Sequence, residues 1–200
     1  MKKSIRELSE KLPKQIVRLE VGSFRANCYL LFDSKKNCVI IDAGDDAEFI
    51  EEKIRELSLV PKVVLATHGH FDHLTAASVI SLAYGIPFYM SKKDEFLLKN
   101  IRGLQPAISK DLQGGDKVEA GEISLEVLEV PGHTPGSLAF RPEKEQKVFC
   151  GDLFFADGTV GRTDFNYSDK ATLEKSTARL RKLSKKTVFY PGHGEEFGNM

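Results

Sequence analysis

The sequence predicts an α/β fold of two similar halves whose sheets pack together, and three observations lead there. Short apolar runs rich in β-branched residues alternate with longer stretches of helical spacing. The same order, strands then a helix and a further strand, occurs once before and once after the middle of the chain. The histidines fall at the ends of strand-like runs, beside glycines.

The elements follow in order. Ser4 to Leu12 is a short amphipathic helix candidate ended near Pro13. QIVRLEV, NCYLLF and NCVIIDAG read as strands, the last closing in a turn at Gly44. DDAEFIEEKIREL places Phe49, Ile50, Ile54 and Leu57 at helical spacing, with Asp45 or Asp46 as its cap. PKVVLAT is a buried-strand pattern, and a helix, LTAASVISLAY, is expected soon after it, closed by Gly85. IPFYM reads as a strand and SKKDEFLLKN as a helix. Ile101 to Gly115 has no clear pattern, and the boundary between halves is placed between Asn100 and Asp116. ISLEVLEV, SLAF and KVFC are strands; the helix SDKATLEKSTARLRKL and the strand TVFY complete the second half.

Bulk properties narrow the function. The chain has 200 residues, enough for one domain with a proper core, and residues 1–200 are read as a single domain. Lys plus Arg equals Asp plus Glu at 29 each, so the basic excess of a nucleic-acid binder is missing. The helix from Asp169 is locally basic, a solvated face able to steer anions. Cys28, Cys38 and Cys150 lie in apolar runs without a C-x-x-C pair, which suits reduced, buried thiols. The opening MKK is followed by no apolar segment, and no run is long enough to span a bilayer. The expected setting is therefore cytoplasmic, with no membrane and no nucleic acid as partner.

The stretch THGHFDH carries three of the five histidines. His68 and His70 are two apart, so on an extended segment both point the same way, and Asp72 and His73 follow at the turn. His133 in VPGHTPG, Asp152 in FCGDLF and His193 in YPGHG also sit where a strand runs into a glycine turn. Imidazole and carboxylate donors suit zinc, iron or manganese rather than calcium.

These residues, H-x-H-x-D-H followed by His133, Asp152 and His193, resemble the metallo-β-lactamase superfamily. NCYL, IDAG and the later GRTDF fit as well, and GRTDF points to the glyoxalase II-like branch, which also contains the persulfide dioxygenases. The resemblance implies an αββα sandwich. It also implies two divalent metal ions, zinc foremost, with iron or manganese as alternatives. His68, His70 and His133 would hold the first metal, Asp72, His73 and His193 the second, and Asp152 would bridge them. A shared water of pKa about 7 would then supply the hydroxide that attacks an acyl carbonyl. Asp72 is the candidate catalytic residue, binding metal and orienting that hydroxide. Asp42 would fix the tautomer of a ligand histidine, or serve only as a turn residue. Arg162 and Asp164 are read as an ion pair more than as part of the substrate mouth, and Tyr167 as packing more than as a substrate contact.

The expected activity is hydrolysis of a small acyl thioester or related substrate, anionic ones included, as in hydroxyacylglutathione hydrolase. The alternatives are a mononuclear iron persulfide dioxygenase and a lactone or β-lactam hydrolase. The chain stops seven residues after His193, so the C-terminal helical domain of long glyoxalase II is expected to be absent, and glutathione specificity is not carried over.

Overall fold

The computed structural model describes residues 15–101, 103–143 and 145–199; the helix expected over Ser4 to Leu12 lies outside them. Two six-stranded sheets form, one from each half. In the first, β1 (Gln15–Val21), β2 (Ala26–Phe32) and β3 (Asn37–Ile41) make an antiparallel meander. Three parallel neighbours extend it, β4 (Val60–Leu65), β5 (Phe88–Met90) and β6 (Ile108–Asp111). The crossovers are α1 (Ala47–Glu56) between β3 and β4, and α2 (Ala77–Tyr84) between β4 and β5.

The second half repeats the plan. β7 (Lys117–Ala120), β8 (Ile123–Glu129), β9 (Leu138–Pro142) and β10 (Lys147–Gly151) form a meander. Then α3 (Lys170–Arg181) crosses over to β11 (Val188–Pro191), parallel to β10, and the two-residue β12 (Phe197–Gly198) closes the edge. The halves meet between Asp111 and Lys117, inside the expected boundary.

Residue alternation explains the layering. Every residue of β2 is buried, because both faces of that strand are covered. Cys28, Leu30 and Phe32 pack with Ile50, Ile54 and Ile80 of α1 and α2. Tyr29 and Leu31 point the other way, joining Val39, Leu65, Leu125, Phe140 and Phe149 in the seam between sheets. On the far side Leu173 and Leu180 of α3 pack on Val148, Cys150 and Phe189. The order helix, sheet, sheet, helix is the expected sandwich. All three cysteines are buried and free.

Four local expectations are corrected. Asp46 precedes α1 but makes no cap bond; it sits at φ 51°, and its carboxylate accepts the Gly22 amide instead, at 2.8 Å. The second helix starts at Ala77 rather than Leu74, because Phe71–His73 coils as a 3-10 turn and Leu74 leaves helical geometry at φ −134°. Lys92–Asn100 is a series of 3-10 turns rather than an α-helix, and Asp94 within it is drawn inward by three hydrogen bonds. The unpatterned middle contains β6, and β7 was likewise not anticipated. Gly85 does close α2 in the left-handed conformation, at φ 61°. Asp169 caps α3, accepting the Thr172 amide at 2.6 Å.

Candidate metal centre

The carboxyl ends of β3, β4, β8, β10 and β11 all open toward one end of the sandwich, where their loops deliver Asp42, His68 to His73, His133, Asp152 and His193. All seven sequence-predicted residues come together there. His68, His70 and His133 form one group of donor atoms within 4.8 Å of one another, and Asp72, His73 and His193 form another. Asp152 lies between them: Oδ2 is 3.6 Å from His133 Nε2 and 3.7 Å from His193 Nε2, and Oδ1 is 3.6 Å from His73 Nε2.

The supporting bonds decide which nitrogen of each ring faces inward. Asp42, at φ 57° and buried, accepts the Thr67 amide at 2.7 Å and the Thr67 hydroxyl at 2.7 Å. Its Oδ2 also accepts His73 Nδ1–H at 3.0 Å, leaving His73 Nε2 directed at the carboxylates. Because the Thr67 hydroxyl donates to Asp42, it accepts from His68 Nδ1–H at 3.0 Å, and His68 Nε2 is left unprotonated. His133 Nδ1 donates to the Arg162 carbonyl at 2.8 Å, freeing His133 Nε2. His70 Nδ1 faces both, 3.1 Å from His68 Nε2 and 3.0 Å from His133 Nε2. Of the two roles considered for Asp42, the structure places it on a candidate ligand histidine.

Two further residues went unnoticed in the sequence. Buried Asp94 accepts the amides of Gly69 and Gly136 at 2.9 and 2.7 Å and the Thr134 hydroxyl at 2.6 Å. It therefore ties the loop carrying His68 and His70 to the loop carrying His133. Asn27, buried at the start of β2, donates its side-chain amide to the Pro191 and Gly194 carbonyls and so steadies the turn of His193. Neither could be read from spacing, since both act through partners remote in sequence. The NCYL segment was noted, but not this role for its asparagine.

Electrostatics divide the two groups. Burial, reinforced by neighbouring histidines, pushes the His68 pKa well below its usual value and His70 down to about 4. For His73 burial acts in the same direction, but Asp152, Asp42 and Asp72 outweigh it and the pKa rises to about 9. Burial likewise opposes the shift of Asp72, yet the His193 hydrogen bond and the His73 charge bring it down to about 2. His193 is raised, its burial outweighed by the bond to Asp72 and by Asp152.

Do these donors fit metal ions? Among the described residues His73 Nε2 and Asp152 Oδ1 are buried without a hydrogen-bond partner, 3.6 Å apart, and a cation or a bound water would satisfy both. The inward nitrogens of His68, His70 and His133 stand as neighbouring ligands do around a tetrahedral ion with bonds of about 2.0–2.1 Å. A Cβ on Gly192 would overlap Asp152 Oδ1, so glycine is needed for the backbone to come this close. The set fits a pair of cations that accept nitrogen and oxygen donors.

Above the donors opens a cleft of about 1130 Å³. One wall carries Phe24 and Phe71, edge to face at 5.2 Å; another carries Phe165 and Tyr167, stacked at 5.1 Å. Arg162 makes the expected ion pair with Asp164 at 2.7 Å and also lines the cleft. Tyr167, read as packing, brings its hydroxyl to 2.8 Å from His70 Nε2.

Asp42→Ala is expected to lower stability by about 3 kcal/mol or more, since it strands the buried Thr67 amide and His73 Nδ1–H. Metal affinity at the His73 position is expected to fall ~10- to 100-fold. Urea unfolding and chelator competition measure the two effects; an unchanged midpoint and affinity would remove Asp42 from the site.

Comparison with known proteins gives a consistent picture. A family model described as "Metallo-beta-lactamase superfamily" matches residues 21–193. Hydroxyacylglutathione hydrolase GloC of Haemophilus influenzae is 36% identical over 189 residues, 88% of this chain and 89% of that protein. Among solved structures, TTHA1623 in a di-iron-bound form superposes with a TM-score of 0.82 at 31% identity, covering 91% and 94% of the two chains. BLEG-1, a B3 metallo-β-lactamase, gives 0.83 at 28% identity, covering 92% and 94%.

Proposed function

The chain belongs to the metallo-β-lactamase superfamily, and from that premise we propose that it is a dinuclear thioester hydrolase of the glyoxalase II-like kind. The observation that carries this reading is the convergence of seven donors beside one cleft, which His70, Asp72, His133, Asp152 and His193 line, with His73 Nε2 and Asp152 Oδ1 lacking a hydrogen-bond partner among the described residues. His68, His70 and His133 would hold one metal, Asp72, His73 and His193 the other, and Asp152 would serve both. When bound, the metals supply Lewis acidity and lower the pKa of a shared water toward neutrality.

The chain's own groups do the rest. Asp72, a carboxylate at any pH above about 2, can accept a hydrogen bond from the attacking water and orient it. The aromatic walls hold the substrate over the donors and keep bulk water from its carbonyl. A thiolate suits this floor as leaving group. Its conjugate thiol has a pKa of about 8.5, so it departs without a dedicated acid, while the imidazoles and carboxylates are engaged as ligands. Relatedness to a protein named hydroxyacylglutathione hydrolase supports the same substrate class.

Elemental analysis of protein purified without added metal, followed by thiol release from a panel of acyl thioesters, tests the proposal. Two metals per chain and thiol release that a chelator abolishes are expected, with zinc, iron or manganese restoring activity. One iron per chain, with oxygen uptake on a glutathione persulfide, would replace the hydrolase by a dioxygenase. Two metals with ring opening of lactones or β-lactams and no thiol release would replace the substrate class.

A further inference from the structure

We propose that Tyr167 is a positioning residue for the candidate metal centre, holding the His70 ring so that its Nδ1 faces His68 and His133. The inference rests on the reading that those three histidines share a metal ion.

His70 differs from its neighbours in two ways. His68 and His133 face the centre with Nε2, whereas His70 faces it with Nδ1. The outward nitrogens of His68, His73 and His133 are held by Thr67, Asp42 and the Arg162 carbonyl. The outward Nε2 of His70 has the Tyr167 hydroxyl instead, at 2.8 Å on the wall of the open cleft. A half-turn of that imidazole would replace the inward Nδ1 with carbon. A partner on Nε2 opposes such a turn, because the turn would put carbon in the place of that nitrogen too.

The hydroxyl also selects a tautomer. Tyrosine can donate or accept. If it donates, the proton of neutral His70 sits on Nδ1, where a metal cannot bind. If it accepts, Nε2–H is outward and Nδ1 carries the lone pair. With His70 serving as a ligand, the accepting arrangement is the one that applies.

Tyr167 is itself held in place. Its ring stacks on Phe165 at 5.1 Å and 8° and meets Phe96 edge-on at 5.4 Å. The Arg162 guanidinium lies 4.7 Å from the Phe165 centroid, while the Arg162 carbonyl takes His133 Nδ1–H. Ser168 donates its hydroxyl to the His133 carbonyl at 2.7 Å. Residues 162–168 thus grip His70 and His133 together, and the GRTDF motif with its following NYS becomes a clamp on two members of one triad.

The test separates the hydroxyl from the ring. Tyr167→Phe keeps the stack and removes only the bond. Chelator competition with zinc alone on the full chain is expected to show one of the two positions weakened ~10- to 100-fold and the other unchanged. Proton–nitrogen correlation of the imidazoles in the zinc-loaded protein should show the His70 Nε2–H resonance shifted or lost to exchange, with the His68, His73 and His133 signals kept. Phe165→Leu, which loosens the stack but retains the hydroxyl, should give a smaller loss at the same position. Packing alone predicts the reverse order: Phe165→Leu disruptive and Tyr167→Phe silent in affinity and in the ring spectrum. That result overturns the proposal. Failure of the wild-type chain to bind metal would overturn the functional reading instead, so the two failures are distinct.

Discussion

Asp152→Ala is expected to leave a folded protein that has lost nearly all hydrolytic activity, by ~10³-fold or more, and that no longer retains two metals per chain. The magnitude follows from the several kcal/mol a metal pair contributes to stabilising charge in the transition state, at about 1.4 kcal/mol per tenfold in rate. The position explains why one residue matters so much. One carboxylate oxygen stands 3.6 Å from His133 Nε2 and 3.7 Å from His193 Nε2, so it addresses both donor groups. The other is buried, without a hydrogen-bond partner among the described residues, and 3.6 Å from His73 Nε2. Folding should survive, because Asp152 Oδ1 makes no hydrogen bond among the described residues, although losing its charge beside His73 removes some stability. Circular dichroism, elemental analysis and thiol release on one preparation make the check. Two retained metals with full activity would show that Asp152 bridges nothing.

The fold and the candidate site were legible in the sequence to different depths. The sandwich could be read because buried strands such as β2 and β3 are mostly apolar, and the crossover helices α1 and α3 show clear spacing. β6 escaped because ISKD is short, lies at a sheet edge and exposes Ser109 and Lys110. The stretch around Asp94 looked helical by spacing, yet the pull of Gly69, Thr134 and Gly136 on one buried carboxylate reshapes it into 3-10 turns. That force is tertiary and leaves no trace in local periodicity. The seven donors stood out because histidine is scarce here and falls at strand ends. The residues that orient them, Thr67, Asp94 and the Arg162 carbonyl, are common types whose partners lie up to 42 residues away. Tyr167 lies 97 residues from His70, and no spacing rule would pair them.

Acidification should strip the two donor groups of metal in sequence, Asp72–His73–His193 first. A metal competes with protons for its ligands, so the metal-free pKa of each ligand sets the pH at which affinity begins to fall. His73 is raised to about 9 and His193 is also raised, chiefly because carboxylates outweigh their burial. Both raised groups gain protons as pH falls, and metal binding must expel them. Below about pH 9 the His73 proton alone costs about tenfold in affinity per pH unit, so roughly 100-fold is lost between pH 8 and pH 6, with His193 adding to it. His68 is depressed and His70 lies at about 4, so these two donors of the first group carry little proton competition until the solution is far more acidic. Dialysis across this range followed by elemental analysis should show two metals declining to one before the last is lost, with thiol release falling at the first step. Calorimetric titration in buffers of different ionisation enthalpy should count more protons released by the weaker position than by the tighter one. Simultaneous loss of both metals, or equal proton release, would mean that Asp152 couples the two positions too tightly for the electrostatic division to act.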